Sequence, residues 1–480
     1  MVGEKQLILS NQKDNQAVLW NAAWLYIRKD SMENNYIFRP EYFGGILIDR
    51  DTFEKWELDE KHSLYLWIYY HIRDVEKSLK ILKYFYEDVN LDEELISFSI
   101  NNIYNLPKKY IYKNKLAEVK PFLENELILL KKRNYLSAPL ELSLYLTSNC
   151  QLNCDFCFMN DLIRDKNSYI PLEKALKIID MFVDNGIESI SLLGGEPLLY
   201  DDILRICDYI ESKRVHFTIT TNGILLDEKF LRSIKEYRYL KLVFSIINLS
   251  DRNSMYSNKI LNQIKKNIIL ASKMGIRTSI NTVLINQSIE DLEEIINFCN
   301  ENNIERYSMA TFANIESKAK VTLSIYDCIN YYVKLNEYVN KNKFDIDLAL
   351  EGCMIYSAAY QGEDIDISDF QRISYGCQAA QTNIDIMFDG KAYACSLLRD
   401  ESIIESDIFD KEFDEIRDSV KFSPIRDYKV LDKKCTYCNY NVFCNGGCFV
   451  EKQITNNKYE KCCDPKCYRY LGNNNASISF

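Results

Sequence analysis

The hydrophobic positions between residues 141 and 348 alternate between strand-like and helix-like spacing. Short apolar runs typical of buried strands occur at 141–146, 188–193, 215–221, 240–247, 276–284 and 304–310. Apolar residues at helical spacing lie between these runs, for example over 172–183 and 260–274. Strands that alternate with helices in this way predict a parallel sheet with helices packed outside it. The active site of such a fold forms on the loops that follow the strands.

The pattern before residue 106 is different and predicts a separate small unit. Two apolar runs flank a turn between Pro40 and Gly45, which predicts two strands joined by that turn. Helical spacing then predicts three short helices over 64–72, 75–86 and 91–103. All four tryptophans fall before residue 70, which indicates that this part has its own core. Residues 17–27 predict a strand or a short helix.

Length and charge narrow the class of protein. A chain of 480 residues is too long for one small core, and two to four domains are expected. The net charge of −11, with both signs interspersed, argues against nucleic-acid binding as the main function. The N-terminus has no apolar signal segment, and no apolar run is long enough for a membrane span. A soluble cytoplasmic protein that binds neither nucleic acid nor membrane is therefore expected.

The chain has sixteen cysteines, which cluster rather than spread. Cytosolic thiols stay reduced, so clustered ones are expected to bind metal. Cys207, Cys299 and Cys328 stand alone in helical patterns and are expected to be buried small apolar residues. None of the three histidines neighbours a cysteine cluster, so chemistry that needs a histidine base is not expected. His71 extends a helical apolar pattern and is predicted to be a packed residue.

The cysteine loop, residues 150–157, directly follows the first predicted strand of the sheet. Cys150, Cys154 and Cys157 supply three thiolates within eight residues. A [4Fe–4S] cluster usually has four cysteine ligands, so three thiolates leave one iron open to a further ligand. A structural zinc would need a distant fourth ligand, since no histidine lies within fifty residues of the loop. Zinc and a redox disulfide remain as alternatives behind the iron–sulfur cluster.

The spacing C-x3-C-x2-C, with Phe156 before the third cysteine, resembles the motif of the radical S-adenosylmethionine (radical SAM) enzymes. The resemblance implies a partial (β/α)6 barrel and a cluster whose open iron chelates the amino and carboxylate groups of SAM. It also implies further SAM contacts after the second, third and fourth strands. The matching residues are Gly194, Gly195, Glu196 and Pro197, then Asn222 in a Thr-Asn-Gly turn, and Ser245.

The C-terminal cysteines resemble the SPASM domain, which holds two auxiliary iron–sulfur clusters. By the family's ligand order, an outer cluster would be held by Cys435, Cys438, Cys444 and Cys467. An inner cluster would be held by Cys377, Cys395 and Cys448. Its fourth ligand stays open among Cys353, Cys462 and Cys463, or one iron has no protein ligand. A pair of zinc sites is the alternative.

The run from Arg39 to Leu47, Arg-Pro-Glu-Tyr-Phe-Gly-Gly-Ile-Leu, resembles the PqqD-like peptide-recognition element of ribosomal-peptide maturation systems. That family captures a leader peptide as an additional strand on its sheet edge. A nucleic-acid-binding winged helix and a purely structural cap are the alternatives. No cluster of lysine or arginine dominates the predicted helices, which disfavours the first.

The patterns and resemblances together predict four regions. A winged-helix-like leader-recognition domain occupies 1–105, a bridging linker 106–140, the radical SAM barrel 141–348 and the SPASM domain 349–480. The resemblance implies a maturase that cleaves SAM to a 5′-deoxyadenosyl radical and cross-links a ribosomally made peptide through a thioether or C–C bond. An electron donor such as flavodoxin or ferredoxin would supply the electron.

Three other activities stay open. The first is sulfatase-maturase-like oxidation, although Ser396 stands where several of those enzymes have an aspartate. The second is peptide epimerisation. The third, from another class, is a non-catalytic peptide-binding scaffold with structural metals.

Overall fold

The computed structural model describes residues 36–52, 54–112, 119–163, 168–249, 257–312, 323, 325–351, 377–427, 433–437 and 446–450. The chain divides into two compact units, residues 1–134 and 135–480. The element predicted over 17–27 lies outside the described residues. Within the described part, no helix combines the length and the apolar character needed to cross a bilayer.

A small sheet forms the base of the N-terminal unit. Its strands are β1 (Tyr36–Glu41), β2 (Gly44–Asp49), β3 (Lys55–Leu58) and β4 (Tyr104–Asn105). The order β3-β2-β1-β4 is antiparallel except for the parallel pair β1 and β4. The helices are α1 (Glu60–Ile72), α2 (Val75–Leu82), α3 (Glu93–Asn101) and α4 (Val119–Lys131). The two strands, their turn and the three helices predicted here are all present.

The core of this unit extends beyond its predicted limit. Leu106 and Tyr110 are buried in the same core as Trp67, whose Nε1 donates to the Tyr110 carbonyl at 3.0 Å. In α4, Leu123 and Leu130 are buried in it as well. The sequence predicted a linker over 106–140, because the apolar residues there are interrupted by prolines and lysines. The structure corrects this, since Leu106, Tyr110, Leu123 and Leu130 belong to the core of the N-terminal unit.

His71 packs in this unit, as predicted. Its Nδ1 lies 2.9 Å from the Trp67 carbonyl, and its Nε2 accepts from the Tyr112 backbone N–H at 2.9 Å. Burial lowers the pKa of this imidazole below its usual value. Both ring nitrogens therefore have structural partners.

A long, mostly parallel sheet organises the C-terminal unit. Its strands are β5 (Glu141–Tyr145), β6 (Ser189–Leu193), β7 (His216–Thr221), β8 (Leu240–Ser245), β9 (Thr278–Leu284), β10 (Arg306–Thr311), β11 (Asp347–Glu351), β12 (Asn383–Ile386), β13 (Ala392–Tyr393) and β14 (Ile404–Glu405). The order is β11-β10-β9-β8-β7-β6-β5-β12-β13-β14. Among the described strands of this sheet, only the pairs β12–β13 and β13–β14 are antiparallel.

The helices of this unit follow the strands as predicted. They are α5 (Asn160–Ile163), α6 (Leu172–Val183), α7 (Ile203–Ser212), α8 (Glu228–Ile234), α9 (Asn258–Lys273), α10 (Ile289–Glu301), α11 (Ile325–Asn342), α12 (Phe413–Arg417), α13 (Ser423–Arg426) and α14 (Lys433–Thr436). Cys207, Cys299 and Cys328 are buried in this core, which confirms their predicted role.

Alternation along the strands separates two faces of the sheet. Leu142, Leu144 and Leu192 are completely buried in the main apolar core. Their neighbours Glu141 and Ser191 instead line a cavity on the other face. Successive residues of a strand point to opposite faces, so one sequence builds a core and a site at once.

The sheet is wider than the six predicted strands. Those six are present as β5 to β10, and β11 continues the parallel series beside β10. On the other side, β12 pairs in parallel with β5, placing Ile384 opposite Leu142. The sequence assigned β12 to a separate SPASM domain starting at 349, whereas the structure joins this strand to the main sheet. The remainder of the predicted domain limits stays a prediction.

A fully buried arginine at the end of α12 binds the segments that precede β5 and β12. Arg417 donates to the Leu136 carbonyl from Nε and Nη2, at 3.0 and 2.6 Å. It also donates to the Ala380 carbonyl at 2.7 Å and the Gln381 carbonyl at 2.9 Å. A buried charge needs such partners, because its desolvation is otherwise uncompensated.

Candidate metal and cofactor site

One cavity of about 630 Å³ lies on the polar face of the sheet. Its lining includes nine of the residues singled out from the sequence, namely Cys150, Cys154, Phe156, Cys157, Gly194, Gly195, Glu196, Asn222 and Ser245. They come from the loops after β5, β6 and β7 and from the end of β8. The carboxyl ends of parallel strands meet at one edge of a sheet, which explains why they gather. Pro197 is buried at the start of a short 3₁₀ helix, Pro197–Leu199.

The cysteine loop turns tightly so that its three half-buried thiols face one space. The Cys157 backbone N–H donates to the Cys154 carbonyl at 3.1 Å, and the Asn160 side chain donates to the same carbonyl at 2.9 Å. Burial, then the neighbouring Cys157 and Cys150 groups, raises the pKa of Cys154 to about 12. Burial also raises the pKa of Cys150.

These thiols suit a metal cluster. Thiolates at Cys157 and Cys150 would repel one at Cys154, and a bound metal cation would reverse that penalty. Soft thiolate ligands of this kind are those that iron–sulfur clusters use. The donor set therefore fits a cluster held at three irons by Cys150, Cys154 and Cys157.

The two glycines after β6 allow a close approach of backbone to backbone. The Gly195 N–H donates to the Thr147 carbonyl and the Glu196 N–H to the Asn149 carbonyl, both at 2.7 Å. A Cβ on Gly195 would lie 2.3 Å from the Asn149 carbonyl oxygen, and one on Gly194 would lie 2.7 Å from that of Thr147. The sequence predicted a close approach to a ligand. In the structure the glycines also let the turn after β6 pack against the stem of the cysteine loop, Thr147 to Asn149.

Glu196 ties two of the site's turns together. One carboxylate oxygen accepts from the Thr221 hydroxyl at 2.7 Å and the Leu198 N–H at 3.2 Å, and the other accepts from the Asn222 N–H at 2.9 Å. Its exposure is only 1%, and this burial raises the pKa of the carboxyl. A carboxylate has about four lone-pair positions, so room for about one further donor remains.

Asn222 links the turn after β7 to the cysteine loop. Its Oδ1 accepts from the Gln151 side chain at 3.1 Å and from the Ile224 N–H at 3.0 Å. Sequence reasoning missed Gln151, although its position inside the motif was a signal. The cysteine loop is thus held by the glycine turn on one side and by Asn222 on the other.

Phe156 belongs to a small apolar cluster beside the thiols. Ile247, Ile285 and Phe312 are its buried members, and Phe156 packs against them. Phe312 also lines the cavity. Sequence reasoning missed these three residues, although each follows closely after a strand. With Phe156, they form an apolar wall on this side of the cavity.

Charged residues line the cavity away from the thiols. Lys241 stands at the start of β8, and burial lowers the pKa of its ammonium. Arg306 pairs with Asp347 and lies 3.5 Å from a Glu351 oxygen. The sequence had not marked these positions, because lone charges in strand patterns usually face solvent.

The structure also brings together cysteines that are far apart in the chain. Burial, then nearby charges including Cys448 and Cys377, raises the pKa of Cys395. All three are half-buried and pack against the main core. These are the residues predicted to hold an inner cluster. Cys435 is buried in α14, whereas the other predicted ligands lie outside the described residues, namely Cys353, Cys438, Cys444, Cys462, Cys463 and Cys467.

The loop that carries Cys395 borders the same cavity as the cysteine loop. Leu397 lines the cavity, and the buried Tyr145 hydroxyl donates to the Ser396 hydroxyl at 3.0 Å. Tyr145 itself lines the cavity at the end of β5. The Cys395 loop therefore borders the cavity through Leu397, whereas Cys377, Cys395 and Cys448 are not part of its lining.

Comparisons with known proteins agree with this geometry. Residues 144–299 match the model of the Radical SAM superfamily. The GTP 3′,8-cyclase of a Synechocystis species is 33% identical over 159 residues, which cover 32% of this chain and 47% of the cyclase. This chain thus matches about half the length of that relative. The radical SAM cyclopropyl synthase TigE of Paramaledivibacter caminithermalis is 22% identical over 295 residues, covering 56% of this chain and 61% of TigE.

A solved structure resembles a much larger share of the chain. Streptococcus suis SuiB bound to the precursor peptide SuiA has a TM-score of 0.76 and 28% identity, covering 90% of this chain and 98% of SuiB. SuiB bound to S-adenosylmethionine has a TM-score of 0.74, covering 91% and 99%. The likeness therefore extends well beyond the matched domain.

Proposed function

Because this chain is an enzyme of the radical SAM superfamily, we propose that it modifies a ribosomally made precursor peptide. The modification is an intramolecular cross-link, through a thioether or a C–C bond. The observation that carries the proposal is the likeness over 90% of the chain to SuiB, which binds the precursor peptide SuiA. A non-catalytic scaffold would not need the cysteine loop and the glycine turn in one cavity.

Residues in and beside the cavity could bind both the [4Fe–4S] cluster and SAM. Cys150, Cys154 and Cys157 would hold the [4Fe–4S] cluster, and SAM would lie along Gly194 to Pro197, Asn222 and Ser245. Together these groups supply a 5′-deoxyadenosyl radical by one-electron reduction of SAM. Glu196 would accept a hydrogen bond from the SAM ammonium with its remaining lone pair. The wall around Phe156 and Phe312 excludes water from a reaction that water would disturb.

The cross-link requires a place for one electron. The peptide loses one hydrogen atom to the 5′-deoxyadenosyl radical. Formation of the thioether or C–C bond then releases one proton and one electron. Cys377, Cys395 and Cys448 would hold an auxiliary cluster that can accept the electron, since the Cys395 loop borders the cavity through Leu397. Cys435 would belong to an outer cluster with Cys438, Cys444 and Cys467. A flavodoxin or ferredoxin would supply the initial electron.

The N-terminal unit offers an edge for the peptide leader. In the order β3-β2-β1-β4, β3 is an outer strand and pairs with β2 alone among the described strands. An open strand edge can accept an extended peptide through backbone hydrogen bonds. We propose that the leader adds beside β3, in the manner of the PqqD-like elements. A leader peptide that competes with full-length precursor for binding would support this assignment.

The test uses reconstituted, reduced protein and the short peptides encoded beside its gene. We expect deuterium from a labelled peptide in 5′-deoxyadenosine and a product lighter by two hydrogens. Blocking of peptide thiols before the reaction distinguishes a thioether from a C–C bond. Deuterium transfer with unchanged product mass would mean epimerisation instead, and oxygen replacing sulfur would mean sulfatase-maturase-like oxidation.

A variant with Cys150, Cys154 and Cys157 changed to alanine provides the control. It should bind the peptide through the N-terminal unit while cleaving no SAM. Retained SAM cleavage in this variant would contradict the assignment of the site.

A further inference from the structure

Arg399 occupies the end of the loop that carries Cys395. Its Nε donates to one oxygen of Asp161 at 2.6 Å, and its Nη2 donates to the other at 3.2 Å. This is the two-pronged geometry in which arginine binds a carboxylate most strongly. The side chains are only 21% and 27% exposed, so water screens the pair less than a surface pair.

The same guanidinium binds three backbone carbonyls. Nη2 donates to Phe158 at 2.7 Å, and Nη1 donates to Leu398 at 3.1 Å and to Ser396. With Asp161, these bonds use all five N–H donors of the side chain. A lysine has a single ammonium and cannot reproduce this fork.

The partners of Arg399 lie on the two loops that carry Cys157 and Cys395. Phe158 and Asp161 lie within four residues after Cys157, whereas Ser396 and Leu398 lie within three residues after Cys395. Phe158 and Leu397, one from each segment, also line the cavity. One side chain therefore ties the segment 158–161 to the segment 396–399, which are far apart in sequence.

We infer that Arg399 is a positioning residue that sets the spacing between the cysteine loop and the Cys395 loop. The inference rests on the proposed function, in which the peptide radical must pass its electron toward Cys395. A looser spacing slows that transfer and opens the cavity wall to water. The peptide radical then takes one electron from the flavodoxin or ferredoxin and one proton from water, which returns the unmodified peptide, so SAM cleavage becomes uncoupled from product formation.

Hydrogen–deuterium exchange on the protein without clusters is the first test. Arg399→Ala should make the amides of both 158–161 and 396–399 exchange about tenfold faster or more, as the loss of a charge-assisted pair implies. Arg399→Lys should restore little of the protection, since it keeps the charge without the fork. Arg232→Ala removes another arginine–carboxylate pair, with Glu228 in α8, and should change neither segment.

The second test is the number of 5′-deoxyadenosine molecules formed per cross-linked peptide. Arg399→Ala and Asp161→Asn should each raise this ratio several-fold while iron content and circular dichroism stay as in the wild type. An increase confined to the variants of this pair supports the inference. An unchanged ratio in both variants, or faster exchange in only one of the two segments, would overturn it.

Failure of the proposed function would look different. If the wild-type protein cleaves SAM but modifies no peptide, the proposed function fails. The exchange experiment still decides on its own whether Arg399 couples the two loops.

Discussion

Gly195→Ala should separate the glycine turn from the stem of the cysteine loop. The new Cβ would lie 2.3 Å from the Asn149 carbonyl oxygen, which is backbone and cannot rotate away. The hydrogen bonds from Gly195 to Thr147 and from Glu196 to Asn149, both 2.7 Å, would then lengthen or break. At about 0.5–1.5 kcal/mol for each bond, the free energy of unfolding should fall by about 1–3 kcal/mol.

The same displacement moves Glu196, which we assign to the SAM ammonium. We therefore expect SAM to bind about tenfold more weakly or worse, the loss that about 1.4 kcal/mol of binding energy represents. Urea unfolding at equilibrium measures the first effect. Calorimetric titration of SAM into reconstituted protein measures the second.

Gly275→Ala is the matched control. Gly275 has a φ of +78°, so alanine there is strained, but a Cβ at this position would have no atom within 4 Å. This variant should lose some stability and keep its affinity for SAM. The reasoning would be refuted if Gly195→Ala kept wild-type stability and affinity, or if both variants lost SAM binding equally.

Other substitutions test two sets of hydrogen bonds in the C-terminal unit and the apolar wall of the cavity. Arg417→Met removes four hydrogen bonds to three carbonyls and should lower the free energy of unfolding by about 3 kcal/mol or more in urea titrations. An unchanged free energy of unfolding would contradict this. Burial alone would raise the pKa of Glu405, but the bonds from Lys411 and Ser419 outweigh it and hold the pKa below its ordinary 4.5. The stability from Glu405 is thus present above pH 4.5 and lost as the pH falls through the lower folded pKa, so Glu405→Gln should flatten that part of a stability–pH profile. A profile parallel to the wild type would contradict this. Phe156→Ala opens the apolar wall and should raise the number of 5′-deoxyadenosine molecules formed per cross-linked peptide, whereas Phe156→Leu should raise it less. Equal ratios in the wild type and both variants would argue against a water-excluding wall.

Strand and helix positions were predictable where apolar residues recur over a whole element. The helix α6 begins and ends at the predicted residues, Leu172 and Val183, because its apolar face is continuous. The linker prediction over 106–140 was wrong for its first part. Tyr110 and Leu123 are buried there, yet their spacing crosses a proline and changes of element. Burial that depends on the partner surface is invisible to a local pattern.

Residues of the cysteine motif could be predicted from the sequence, whereas the residues that hold the motif in place could not. The chemistry of a cluster requires thiols, so Cys150 and Cys157 are recognisable by type and spacing. Gln151 and Arg399 are selected by geometry, since any donor at the right place could serve. Only the fold shows that Gln151 reaches Asn222 and that Arg399 reaches Asp161.

The four-residue strand β12 is what brings the Cys395 loop to the cavity. By pairing in parallel with β5, it extends the sheet on the side where the cysteine loop begins. The turn after β12 then returns through β13, and Cys395 follows directly with Ser396 bonded to Tyr145 at the end of β5. The cysteine loop and the Cys395 loop are thus adjacent because two strands are adjacent, although 240 residues separate Ser143 from its partner Asn383. A C-terminal region attached only through a flexible linker would not give the electron a fixed path, so this pairing is the structural condition on which the proposed electron transfer depends.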